Sequence, residues 1–98
     1  MELFWEPLEF EWDAGNQGKN LHKHQVTDAE CEEAFFDPHK RLLKEALHVG
    51  STGQEKRWIL LGRTKAGRTL YLVFTLRRSK IRVISARDLN QKERGLLP

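Results

Sequence analysis

The segment spanning residues 57–87 sets the strongest limit on what this chain can fold into. It holds three strand-like runs, 57–62, 69–76 and 80–87, rich in Ile, Leu, Val, Phe and Tyr. Their links, RTKAGR and RRS, are short and polar, so consecutive runs pair as an antiparallel meander. The middle run, TLYLVFTL, is apolar at both parities, with Leu70, Leu72, Phe74 and Leu76 set against Tyr71 and Val73. That pattern predicts a central strand covered on both faces.

The elements before this segment are briefer. Phe4, Trp5, Leu8, Phe10 and Trp12 alternate in part, and Pro7 restricts a strand over 8–12 to a sheet edge. Asp13 offers an N-cap for a helix over about 14–23, against the cost of Gly15 and Gly18 inside it. Thr27 and Glu30 form a capping-box pattern. A second short helix, carrying Ala29, Cys31, Ala34 and Phe35, stops at Asp37-Pro38. Over 39–49 the spacing of Leu42, Leu43, Ala46 and Leu47 favours a helix, and residues 50–53 read as a loop. Asp88 can cap a last short helix over LNQKERGLLP. The expected class is α+β: an antiparallel sheet of four to five strands, with two N-terminal helices and a short C-terminal helix. One domain over 1–98 accommodates it, since 98 residues supply one modest core.

Three Trp, five Phe and many branched aliphatics exclude a disordered chain. No apolar run approaches the roughly 20 residues of a membrane span, and the acidic N-terminus lacks a signal peptide's basic region. A cytoplasmic protein with no membrane partner is expected. Cys31 is the only cysteine, so no internal disulfide can form, and its helical setting predicts a buried, inert thiol. Charge is unevenly placed. Residues 1–18 contain Glu2, Glu6, Glu9, Glu11 and Asp13 and no Lys or Arg, whereas 57–87 carries many Lys and Arg and no acid. The basic stretch is either a surface for phosphates or an acidic partner, or a set of solvated strand and turn positions.

Four stretches in order, FEWDAGNQGKNLHKHQV, DAECEEAFFDP, EKRWILLGRTKAGRTLYLVFT and IRVISARDLNQKER, resemble the BrnT family of small toxins. The family pattern runs F-E-W-D, K-x-x-N-x-x-K-H-G-V, E-x-R, G-R and I-R-x-I-S-A-R with a closing E-R, and the match spans roughly 9–94. The resemblance implies a RelE-like fold and a ribonuclease that blocks translation. It also implies a BrnA-like ribbon-helix-helix antitoxin, which binds the toxin and, itself, the operator DNA. It places a strand after Asp37-Pro38, so 40–47 is expected to be extended, against local propensity. Gln25 stands where the pattern has Gly, at a left-handed position ending the first helix, and the C-terminus stops earlier than the pattern does. Both departures motivate a rival expectation, a non-catalytic member serving as an antitoxin-binding corepressor.

Metal-independent RNA cleavage needs a base for the 2′-hydroxyl, cations for the phosphorane and an acid for the leaving oxygen. His22 and His24 lie two apart, about 200° around a helix, and cannot share a metal. Neither a metal nor any other cofactor is expected. Lys23 and His24 match the family's K-H, and with Arg82 and Arg87 they are the candidate catalytic groups. His24 is open to a capping or structural role instead. Lys19, Arg57 and Ser85 are the candidate RNA contacts, with Glu55 as the structural alternative partner for Arg57 and Glu93 for Arg87. Arg82 and Arg87 differ in parity and face one side only if the strand bulges near Ser85. Asn20 is expected to order local backbone, and His22, His39 and His48 to be solvated. Trp5, Trp12 and Trp58 are expected in the core or a partner contact. The G-x-x-x-x-G at 62–67 lacks the following Lys-Ser/Thr of a phosphate loop.

Overall fold

The computed structural model describes the backbone of residues 8–50 and 53–96, and side chains outside 44–55. Trp5 and Pro7 lie outside the described residues, as do the loop tip Ser51-Thr52 and the side chains of His48 and Glu55. The order is α1 (Lys19–His24), α2 (Asp28–Phe35), β1 (Arg41–Gly50), β2 (Gly53–Arg63), β3 (Thr69–Arg77) and β4 (Lys80–Asp88). The strands form one antiparallel sheet in the order β1-β2-β3-β4. The three runs of the second half therefore pair as a meander, and 40–47 is extended as the family resemblance implies. There, ladder pairing with β2 overrides a helical spacing.

α2 covers one face, while α1 lies along β4, with Asn20 as its buried residue. Val26, Cys31, Ala34 and Phe35 meet Leu60, Leu70, Leu72, Phe74, Ile81, Val83 and Ala86 in the main core. Phe35 packs edge-on against Phe10 and Phe74, with ring centroids 5.4 and 5.0 Å away. Gly62 permits the closest approach, because a Cβ there would lie 2.4 Å from the Ala34 carbonyl oxygen. Cys31 is fully buried, and burial pushes its thiol up to about 12. Trp12 and Trp58 pack partly buried on this core. The other face is less covered than the two-sided apolar pattern predicts. Leu61 and Leu89 are buried there, but Tyr71 and Val73 are only half-buried.

Three expected elements are shorter. The edge strand over 8–12 reduces to one parallel bridge, Phe10 to Ile81. The first helix begins only at Lys19, because Gly18 is left-handed at φ 67° and the Asp13 carboxylate holds a turn by accepting from the Gly15 N–H. The C-terminal helix is a 3₁₀ turn over Arg94–Leu96. Asp88 does not cap it, being engaged with Arg68 instead.

The outer edge of β4 is closed by the segment before α1. Glu11 N–H donates to the Ile81 carbonyl and Ile81 N–H to the Glu9 carbonyl, both at 2.8 Å. Beyond that bridge, side chains take over from backbone. The Asn16 amide donates to the Val83 carbonyl (3.2 Å), and Asn20 Oδ1 accepts from the Ala86 N–H (3.0 Å). Both asparagines are buried. Asn20 thus orders backbone as expected, but on β4 rather than on its own helix.

Gln25 ends α1 in the left-handed region at φ 57°, ψ 37°. Its N–H donates to the Leu21 carbonyl and that of Val26 to the Asn20 carbonyl, both at 3.1 Å. The turn of the family pattern is kept, and the side chain bears the strain. Gln25→Gly should therefore raise stability by about 1 kcal/mol, lifting Tm by roughly 4–8 °C in thermal unfolding. An unchanged or lower Tm would show the turn to be unstrained.

Arg68 joins the end of α1 to the rest of the fold. Its Nη1 donates to the Gln25 carbonyl (2.7 Å) and its Nη2 to the His24 carbonyl (3.1 Å), at the negative end of the helix dipole. The same guanidinium holds Asp88 through Nε and Nη2 (2.6 and 3.0 Å) and Glu30 through Nη1 (3.2 Å). Glu30 is the capping-box residue of α2, accepting from the Thr27 N–H at 2.9 Å. Arg68→Ala should cost about 2–3 kcal/mol, because it strands two carboxylates and two helix-end carbonyls. Arg68→Lys should recover less than half of that, since an ammonium cannot reproduce the fork. Full recovery of Tm by Lys would reduce the interaction to simple charge.

Candidate functional site

The register of β3 and β4 decides which arginines share a face. Val73 pairs with Ser85 but Phe74 pairs with Val83, so Ile84 is an extra residue in β4. This bulge restores parity between Arg82, opposite Thr75, and Arg87, opposite Tyr71. Both lie on the face away from α2, four rungs apart on β3, or about 13 Å. They share a face without sharing a site.

At one end, a cleft of about 200 Å³ is lined by Gly15, Asn16, Lys19, Arg57, Arg77, Arg82, Val83 and Ile84. Lys19 arrives from the start of α1, Arg57 from β2, Arg77 from the end of β3 and Arg82 from β4. Three of the expected residues, Lys19, Arg57 and Arg82, thus converge from separate elements. Arg77 is a fourth cation that sequence reading missed. The Arg82 guanidinium is held by the chain's own acids: Nη1 reaches Asp13 Oδ2 (2.8 Å) and Glu11 Oε1 (3.0 Å), and Nη2 reaches Asp13 Oδ1 (3.0 Å). The hydrogen bond to Asp13 holds Arg82's pKa above its ordinary value, and that from Arg82 holds Asp13's below. Gly15 completes the wedge, since a Cβ there would lie 2.8 Å from Arg82 Nη2.

At the other end of the face, Arg87 lies over the Tyr71 ring, 4.1 Å from its centroid. Its Nη1 and Nη2 bond Glu93 at 2.7 and 2.8 Å, the pairing that sequence gave as the structural alternative. Lys23 and His24 are exposed on the last turn of α1, where Arg68 binds the His24 carbonyl. They do not line the cleft, but Lys23 sits four residues from Lys19, on the same side of the helix. Ser85 is half-buried beside the bulge. His22 and His39 are exposed, as expected of solvated residues. A larger groove of about 570 Å³, lined by Ala29, Phe36, Pro38 and Arg63 among others, shares no residue with the cleft.

Residues 12–93 match the family model described as the ribonuclease toxin, BrnT, of type II toxin-antitoxin systems. The chain belongs to the BrnT family. As a BrnT member it falls among ribonuclease toxins, a class defined by an RNA substrate and an antitoxin partner. No curated protein matches the chain. Among the described residues of this BrnT chain, no helix is long and apolar enough to cross a membrane.

Arg68, Arg77 and Asn16 are the positions that sequence reading passed over. Arg68 falls in a G-R of the family pattern, which was the one available signal. Arg77 and Asn16 gave none, because their roles arise from strands and loops far apart in sequence.

The ion pair at Arg87 gives the BrnT fold an acid-sensitive tie. The hydrogen bonds from Arg87 lower Glu93 from 4.5 to about 2. The folded value lies below the unfolded one, so the contribution is present above about pH 4.5 and is lost as pH falls toward 2. Glu93→Gln should lower stability by about 1 kcal/mol at neutral pH. In thermal unfolding at stepped pH, the gap to wild type should close at the acid end. A gap unchanged at pH 2 would remove the pair as its cause.

Proposed function

We propose that this chain is the toxin of a type II pair, a RelE-like cytoplasmic endoribonuclease that cleaves RNA without a metal and so inhibits translation. Its antidote is a BrnA-like ribbon-helix-helix antitoxin, which also carries any contact with operator DNA. The observation that supports this most directly is the convergence of Lys19, Arg57, Arg77 and Arg82 on one cleft. Four cations around a small cavity suit the charge that builds on a phosphorane when a 2′-oxygen attacks the adjacent phosphate. From Lys19 the same helix side leads one turn on to Lys23, a rise of about 6 Å, close to one nucleotide step. RNA leaving the cleft along α1 meets Lys23 and then His24, which we assign to proton transfer. A strand crossing the open face meets Ser85 and Arg87.

The corepressor reading has its own support, because Arg82 and Arg87 are both bound by carboxylates. Expression and cleavage separate the two. The wild-type protein should slow growth, and the purified protein should cut RNA in EDTA. Lys19→Ala combined with Arg57→Ala should lower cleavage on the order of 100-fold with antitoxin binding retained. RNA left intact after long incubation with folded wild-type protein would sink the enzyme and leave the corepressor.

A further inference from the structure

Two of the three arginines that line the cleft, Arg77 and Arg82, are in opposite states. Arg82 is 14% exposed in its side chain, and both its terminal nitrogens are bonded to Asp13 or Glu11. The Gly15 backbone lies close beside it, so that a Cβ there would require the guanidinium to shift. Both terminal nitrogens are thus engaged by the segment before α1. Among the described residues Arg77, 52% exposed, makes one long contact, Nη1 to Glu11 Oε1 at 3.4 Å. Among the described residues its Nε and Nη2 meet no acceptor. Arg77 is also held in place by its backbone. It is the last residue of β3, paired with Lys80 across a two-residue turn in which Arg78 and Ser79 are both left-handed, at φ 54° and 67°.

We propose that Arg77, and not Arg82, is the residue of this cleft whose guanidinium fork takes the RNA phosphate. Arg82 instead ties the loop over Asp13 and Gly15 to β4, which sets where Lys19 enters the cleft. A phosphate oxygen pair matches the free edge of Arg77 as a carboxylate matches that of Arg82. To present both terminal nitrogens to a phosphate, Arg82, only 14% exposed, would first have to release Asp13 and Glu11. This assignment rests on the RNA-cleaving reading of the cleft, and it adds a contact that the family-matching positions did not include.

The test is the salt dependence of RNA binding, because a lost phosphate contact flattens it and a purely structural change does not. The probe is a mixed-sequence, single-stranded RNA oligonucleotide, 2′-O-methylated throughout so that it cannot be cleaved. For Arg77→Ala, the slope of log K against log salt should fall in magnitude by about 0.7, the value for one phosphate on a single strand. Affinity near 0.1 M salt should drop on the order of tenfold, with Tm unchanged. Arg77→Lys should restore the slope and only part of the affinity. Arg82→Gln combined with Asp13→Asn removes one charge of each sign, and it should lower Tm while leaving the slope as in wild type. If Arg77→Ala keeps the wild-type slope and affinity, or if the double variant loses the slope instead, the assignment is overturned. Should the double variant not fold, the two Arg77 variants decide alone. A wild-type protein that binds no oligonucleotide overturns the RNA reading, and this assignment falls with it.

Discussion

The fold hangs on the guanidinium of Arg68. Two short helices, one of six residues and one of eight, are too brief to be stable alone, and each needs its ends satisfied from outside. One side chain on the β2–β3 hairpin supplies much of this. It faces the last carbonyls of α1, the capping-box glutamate of α2 and the final aspartate of β4. Its fork geometry matters more than its charge, because six contacts in three directions need donors fixed in one plane. The strain accepted at Gln25 makes sense in this setting. The left-handed turn presents the His24 and Gln25 carbonyls to the same guanidinium.

The open face of the sheet follows from the same economy. With α2 on one side, the other side keeps a partly covered middle around Tyr71 and Val73 and cations toward either end. The bulge at Ile84 puts Arg82 and Arg87 on that face together. Each is then matched by acids from segments that flank the strands, Glu11 and Asp13 before α1 and Glu93 after β4. The acidic N-terminal stretch and the acid-free basic stretch, set apart in sequence, thus meet in part as ion pairs. Formal charge in the sequence overstates how much positive surface is free.

What was legible in the sequence and what was not divide by range. β2, β3 and β4 announce themselves because their apolar runs are bounded by turn residues, and α2 because Thr27 and Glu30 are its own cap. β1 was not legible locally, since Leu42, Leu43, Ala46 and Leu47 keep a helical spacing, and only the family pattern pointed to a strand. The expected helices at 14–23 and at the C-terminus are both shortened, the first ahead of Lys19 by left-handed Gly18. Asp13 and Asp88 look like N-caps, but Asp13 is shared between the Gly15 N–H and Arg82, and Asp88 is engaged by Arg68. The cleft was half legible: Lys19, Arg57 and Arg82 could be named from motifs, whereas Arg77 and Asn16 needed the register.

The closure of β4 by residues 9–20 makes that segment a ruler. Glu11, Asn16 and Asn20 must fall opposite Ile81, Val83 and Ala86, one by backbone and two by side chain. Much of 13–19 is exposed and carries two glycines, the composition of a loop that ordinarily accepts insertions. Here a single added or deleted residue between Glu11 and Asn20 would carry an asparagine past its acceptor or donor and leave a buried amide against an unpaired strand edge. Exposed positions such as Ala14 and Gln17 can vary, but length cannot.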